Sequence, residues 1–460
     1  MNPAGIDAVD TAPDRPGLRR GVVSRFDSSV FGIASTAPAY SLAVTVGVLA
    51  AAVGTAAPTA LLLSAVPVVL VALCFRELNR QEPDCGTAYT WARRAIGPLT
   101  GATSGWLTIA ACLLVMANLA LVTAIYALEL LGAEELAASP VARAVVGTVG
   151  IVVMSWLAYR GIQVAARLQA VLVAVELAAL LWFAARALAE ADQLTWPTLQ
   201  ATGTGGAAGW STAFLAAVFL YWGWDSSFST NEESDDPRGT PGFAALAANG
   251  VLVVLYVVVT WAAISWAGTE RLADVADDDF FVLLAGDLMG TTGGKVLVAA
   301  VLLSGLASAQ TTVLPTTRTM LAMGRDGVGS PRLAAVSRYG TPSTSTWIFA
   351  LASVGLYVLL VLVSESVLYD SVAATAVLVS GYYLVTALAT LRYPYPDGAR
   401  ARPLARIVVP GLATAVFAVV LVVSLFDLSG VSLLVVALSL AVGVPLLRTA
   451  RRTTSPEAHP

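Results

Sequence analysis

Apolar runs of about 20 residues recur along the whole chain, and this repetition limits the possible folds more than any motif does. Twelve can be delimited, at 29–52, 58–78, 98–128, 141–159, 164–189, 209–231, 241–268, 294–323, 344–364, 367–391, 404–426 and 428–447. Each is long enough to cross a hydrocarbon core of about 30 Å as a helix. Only 12% of the residues are charged, against roughly 25% in soluble domains. The expected fold class is therefore an all-α membrane protein with twelve transmembrane helices. Residues 1–27 are polar and lack the apolar core and cleavage site of a secretory signal, so they read as a tail, as do residues 448–460.

Orientation follows from Lys and Arg. With the N-terminus inside and twelve alternating spans, the inner segments hold 22 of the 26 basic residues. The outer segments hold only Arg143, Arg186, Arg271 and Lys295. An odd number of spans would spoil this split, so both termini are expected in the cytoplasm of a multi-pass cell-membrane protein.

The inventory excludes several chemistries. The one histidine, His459, lies in the tail, which removes a His relay, an imidazole metal site and a Ser-His triad. The one lysine, Lys295, sits at an outer helix end, so no buried Schiff base is available. Cys74, Cys85 and Cys112 read as small buried apolar residues without a disulfide framework. GTTGGKV at 290–296 lacks the glycine spacing and the Ser or Thr of a phosphate loop. No enzyme, cofactor, metal centre or nucleic-acid partner is expected.

Two spans are interrupted. Span six breaks around Gly223, between Trp222 and Trp224, with Asp225 just beyond. It ends in Glu232, Glu233, Asp235, Asp236 and Pro237. Span one carries Pro38 inside GIASTAPAYSL, directly after Ser35, Thr36 and Ala37. Proline removes a helical hydrogen bond, and broken backbone at membrane depth survives only where it lines a cavity or is buried in protein. Paired interruptions in corresponding positions of two halves point to the binding site of a secondary transporter.

At this point the chain resembles the amino acid–polyamine–organocation permeases. Three motifs carry the resemblance: RELNRQEPDCGTAYTWARRAIGPLTG after span two, GWDSSFSTNEESDDPRGTP in span six, and RTMLAMGRDGVGSPRLAAVSRYGTP after span eight. The resemblance implies a LeuT-type fold of two inverted five-helix repeats, 28–200 and 201–400, followed by two further helices in 401–447. It also implies a substrate site at the unwound centres, on Ser35, Thr36, Ala37 and Pro38 and on Tyr221, Trp222, Gly223 and Trp224. This chain departs from the better-known members, having Ser-Thr-Ala-Pro where they have a Gly-Ser/Thr-Gly run. The substrate is expected to be an amino acid or a related amine, with polyamine or organic-amine permeation or exchange as the alternative. A nutrient sensor of the same fold is a more distant reading, with no appended signalling domain to support it.

Glu176 lies at the middle of span five, where an ionisable side chain costs roughly 2.5–3.5 kcal/mol on insertion scales and is functional by default. It is expected to carry a coupling proton or to ligate a cation such as Na⁺, the competing reading being a permanent packing bond. Asp225 is expected chiefly to cap the second half-helix or pair with a basic residue, with proton or substrate contact as the lesser role. Asn118, Ser304, Ser308 and Thr311 are cavity candidates, and Tyr382 and Tyr383 are candidates for an outer gate. Gly97, Gly101 and Gly105 read as a close helix-packing face. The acidic run Asp277, Asp278 and Asp279, in a 272–290 outer loop, reads as a solvated face on a short lid.

Overall fold

The computed structural model describes residues 17–200, 206–276, 280–363 and 365–452. Among these residues there is no β-strand, only isolated bridges joining Val23 to Ser234 and Val336 to Pro342. Ten helical stretches are long and apolar enough to cross a membrane, and Gly206–Leu220 is a shorter apolar helix. Asp277, Asp278 and Asp279 and the tail residue His459 lie outside the described residues.

The first long stretch contains three helices. α1 (Arg25–Ser35) starts at a capping box, in which Asp27 N–H donates to the Ser24 hydroxyl and Ser24 N–H to the Asp27 carboxylate. α2 (Pro38–Val53) continues in the same direction, and α3 (Ala57–Gln81) returns. The amphipathic α4 (Ala88–Ala95) follows, then α5 (Pro98–Leu130), α6 (Glu134–Ala137), α7 (Pro140–Tyr159) and α8 (Ile162–Glu190). The second half begins with α9 (Gly206–Leu220), α10 (Ser226–Ser229), α11 (Thr240–Ala267) and α12 (Thr269–Ala273). It continues through α13 (Phe280–Arg325), α14 (Ser343–Val363), α15 (Glu365–Arg392), α16 (Val409–Phe426) and α17 (Gly430–Arg452). The core helix α5 touches α7, α13, α14, α15 and α17. At the periphery α17 turns Leu433, Leu434, Leu438 and Val442 outward, as a lipid-facing helix does.

Two expectations need correction. Span six does not resume as a full half-helix: α10 is a single turn, and the chain then tightens into a 3₁₀ turn at Asn231–Glu233. The described part of the 272–290 segment is largely helical rather than a loop. α13 begins at Phe280 and bends at Gly290, whose φ of 70° interrupts the helix. Before it, Leu272, Val275 and Ala276 lie so close to Gly47 of α2 that a Cβ there would meet them at 2.8–3.0 Å.

The face from which α1 rises, here called the N-face, is sealed. Val22 and Val23 N–H donate to the Glu233 carbonyl, and Asp235 N–H returns to Val23. The Glu233 carboxylate takes two hydrogen bonds from Arg318, at 2.8 and 2.6 Å, with both side chains buried. Around this pair Arg325 binds Glu232 at 2.8 Å, Arg93 binds Asp326 at 2.7 Å, and Asn231 bonds Asn79. Burial works to raise the Glu232 pKa, but Arg325 outweighs it and holds that carboxyl below its usual range.

Because Glu233 and Arg318 are desolvated together, removing one leaves the other buried and uncompensated, at a cost of about 3–5 kcal/mol. Arg318→Met is therefore expected to lower thermal stability sharply in detergent. Restoring neutrality with Glu233→Met in the same chain should recover much of the loss. Equal melting temperatures for wild type and Arg318→Met would contradict this account.

Candidate substrate site

The two interruptions touch. In the first, Thr36 closes α1, Ala37 adopts left-handed backbone (φ 46°, ψ 62°), and Pro38 opens α2. The residue before proline avoids the helical region, and a non-glycine residue in the left-handed region costs roughly 1–2 kcal/mol. Among the described residues of this break, Ala37 is the one non-glycine with positive φ. In the second interruption Gly223 has a φ of 126°, and a Cβ added there would lie 2.5 Å from the Ser35 carbonyl oxygen and 2.9 Å from Thr36 N. Only glycine allows the two breaks this approach.

The loose ends of the backbone are largely satisfied by side chains. Ser308 donates to the Ser35 carbonyl (3.0 Å) and Ser41 to the Thr36 carbonyl (2.7 Å). At the start of α2, Pro38 has no N–H to offer, and the next two donors are engaged across the bundle. Ala39 N–H donates to Glu176 Oε1 at 2.6 Å, and Tyr40 N–H to Ser304 Oγ at 3.4 Å. Glu176 is wholly buried, and its Oε2 has no hydrogen-bond partner among the described residues.

A small cavity of about 60 Å³ opens between the breaks. Its walls include Ser35, Thr36 and Ala37, then Trp222, Gly223 and Asp225, with Ser308 on α13 and Tyr382 on α15. The expected site residues thus divide. Pro38 is buried as the first residue of α2. Tyr221 turns away to donate to the Leu61 carbonyl and pack on Tyr256. Trp224 is buried in an aromatic layer with Phe75, Phe228 and Tyr383, on the N-face side of the cavity. Thr311 spends its hydroxyl on the α13 backbone. Asn118 bonds Ser371 and borders a second, adjoining cavity.

Asp225 stands at the N-cap position of α10, but among the described residues its side chain makes neither a capping bond nor an ion pair. Its carboxylate lines the cavity and accepts the Tyr382 hydroxyl at 2.7 Å, while that same hydroxyl accepts Trp222 Nε1–H at 2.6 Å. Tyr382 is consequently part of the cavity wall. Tyr383 lies in the aromatic layer against Trp224 and Phe417, on the N-face side and away from the outer space where a gate was expected. The cavity instead adjoins a space of about 300 Å³ lined by Val44, Thr45, Val48, Asn118 and Thr375. Tyr40, Ser41, Val115 and Phe219 border both, and the rings of Tyr40 and Phe219 are the bulky part of this partition.

Several wall residues had not been singled out. Thr108, Cys112 (read only as a buried apolar residue), Val115 and Leu119 form one stripe on α5, and Thr312 and Pro315 join the expected Ser308 in one on α13. Their spacing of three and four residues is the signal that could have found them, since such positions share a helix face.

Apolar helices spanning the molecule and a cavity between two broken helices define a multi-pass membrane permease. The sequence matches the amino acid permease family over residues 27–444, and the chain belongs to that family, within the amino acid–polyamine–organocation superfamily. It is 27% identical to the branched-chain amino acid permease BcaP of Bacillus subtilis, over 88% of each chain. It is 25% identical to BcaP of Lactococcus lactis, over 64% of this chain and 66% of that protein.

Gly223→Ala is expected to force the breaks apart and abolish ligand binding in a protein that still inserts and purifies. Gly250→Ala, on a helix where a Cβ meets nothing within 4 Å, should bind normally. Equal ligand affinity in the two variants would remove the contact between the breaks from the site.

Proposed function

We propose that this protein is a secondary active transporter that imports an amino acid with a small apolar side chain, coupled to protons. The observation that carries the reading is the cavity between the breaks. One side offers carbonyls, hydroxyls and the Asp225 carboxylate, and the other offers Val115, Leu119 and Phe219. The names of the relatives, branched-chain amino acid permeases, favour the same substrate class. The cavity is smaller than such a substrate, so Tyr40 and Phe219 must give way on entry. In this reading twelve spans comprise two inverted repeats, 28–200 and 201–400, with two further helices in 401–447. The protein sits in the cell membrane with the N-face in the cytoplasm. The sealed N-face and the adjoining outer space correspond to an outward-oriented, nearly occluded state of alternating access.

The ammonium is assigned to the Ser35 and Thr36 carbonyls, exchanging with the Ser308 and Ser41 hydroxyls, and to Asp225. The N–H groups of Ala39 and Tyr40 are already held by Glu176 and Ser304. The carboxylate is therefore assigned to the second break, against the backbone around Gly223. Leucine, isoleucine and valine are expected to raise the melting temperature of the purified protein by mass action. Esterifying the carboxylate should weaken binding by about 1.5–3 kcal/mol, the worth of a hydrogen bond to a charged group. Asp225 in the cavity wall also favours an amine substrate. An amine without a carboxylate that binds as tightly as leucine would establish that second reading instead.

Coupling is assigned to Glu176, which bridges α8 to the start of α2. Protonation weakens its hold on Ala39 N–H by removing charge from the acceptor. Glu176→Gln retains an oxygen for that N–H but cannot titrate. The variant is expected to bind and exchange substrate in reconstituted vesicles, yet to lose accumulation driven by a pH gradient. Undiminished accumulation would move the coupling to Asp225, and uptake by the wild type only under a sodium gradient would recast Glu176 as part of a cation site.

A further inference from the structure

Far from the cavity, at the N-face edge of the bundle, three arginines converge on an open cleft of about 380 Å³. Arg76 and Arg80 come from the last turns of α3, and Arg402 from the segment leading into α16. Arg76 and Arg80 stand four residues apart on one helix face, a spacing that destabilises like charges. Arg402 lies near enough to repel Arg76 as well.

The acids that would balance them are engaged elsewhere. Glu77 Oε1 is bound at 2.7 Å by Arg406, and its Oε2 is bound at 3.3 Å by Arg402. Arg406 also takes Asp397 at 2.5 Å. Four guanidinium groups thus face two carboxylates. Among the described residues Arg76 and Arg80 make no ion pair or side-chain hydrogen bond, so the excess positive charge falls on them. The Arg76 stem is also held in place. It lies against Gly242 of α11, where a Cβ would come within 2.6 Å of its Cγ.

The apolar half of the cleft is equally specific. A π-helical turn at Leu404–Val408 buries Arg406 and turns Leu404, Ile407 and Val408 outward. Leu73, Leu404 and Val409 line the cleft beside the arginines. A cationic pocket at the end of a membrane helix, continuous with lipid-facing leucines and valines, matches an amphiphile with an anionic head. Guanidinium groups bind phosphate through paired N–H donors, and basic pockets between membrane helices are a known setting for lipid head groups.

We propose that this cleft binds the phosphodiester head group of an anionic phospholipid, whose acyl chains run along α3 and α16. The bound lipid neutralises Arg76 and Arg80 and fastens α3 to α16 beside the Glu77–Arg406 ion pair.

The test uses the full chain in mild detergent, titrated separately with dioleoylphosphatidylglycerol, dioleoylphosphatidylcholine and glycerol 1-phosphate. Retained adducts are counted by native mass spectrometry. The phosphatidylglycerol adduct should form and outlast the phosphatidylcholine one. Arg76→Gln/Arg80→Gln should weaken it about tenfold or more, since each basic group near a lipid surface contributes appreciably. The charge-preserving Arg76→Lys/Arg80→Lys, which loses only the paired donors, should bind more tightly than the Gln pair, which separates loss of charge from misfolding. Arg332→Gln, outside the cleft, should change nothing. Unaltered phosphatidylglycerol binding by the Gln double variant would overturn the proposal. So would equal retention of phosphatidylcholine, or binding of glycerol 1-phosphate as tight as that of the lipid, which would mark a soluble-anion site.

Discussion

A helix that starts in the interior of a membrane protein has N–H groups that lipid cannot satisfy, and the arrangement around α2 follows from this constraint. Pro38 removes one donor from the problem, Glu176 takes the next, and Ser304 takes the one after. Those two acceptors come from α8 and α13, so the broken first span is tied to both. A carboxylate at a helix N-terminus also gains from the helix dipole, which offsets part of the cost of burying it. The second break is then held against the first by the absence of a side chain at Gly223. The cavity exists because these two contacts keep the broken ends close without closing them.

Charge is used differently on the N-face. There Glu233 and Arg318 are buried as a pair, with Glu232–Arg325 and Asp326–Arg93 in a more solvated ring around them. Ion pairs of this kind contribute little net stability compared with apolar packing. They do, however, define discrete partners that can be exchanged. An aromatic layer of Phe75, Trp91, Trp224, Phe228 and Tyr383 separates them from the cavity. Closure on this side is therefore double, one layer apolar and one ionic, whereas the partition toward the far face rests on Tyr40 and Phe219.

The membrane helices and both interruptions were legible in the sequence because each has a local cause: an apolar run of sufficient length, a proline, or a glycine between tryptophans. What faces the cavity was less legible. Across five consecutive residues, Trp222, Gly223 and Asp225 reach it while Tyr221 and Trp224 do not. Within a break no helical period applies, so the direction of each side chain is set by neighbours distant in sequence, such as Leu61 for Tyr221 and Phe75 for Trp224. Asp225 was misjudged for the same reason, since its partner Tyr382 lies 157 positions away. The stripe on α5 was readable in principle, but one polar residue in four on an apolar helix does not reveal which face meets a void.

The hydroxyls of Ser41 and Ser308 already occupy the carbonyls of the broken first span. A ligand arriving there displaces bonds rather than forming them anew, and the net value of such a swap is small, about 0.5–1.5 kcal/mol for a typical hydrogen bond. Tight binding would then have to come from groups with no such substitute, Asp225, the second break and the apolar wall. The same hydroxyls close over the vacated carbonyls as the ligand departs, so no orphaned acceptor holds it back. A site with this internal substitute favours short residence times over high affinity, and so favours throughput over capture.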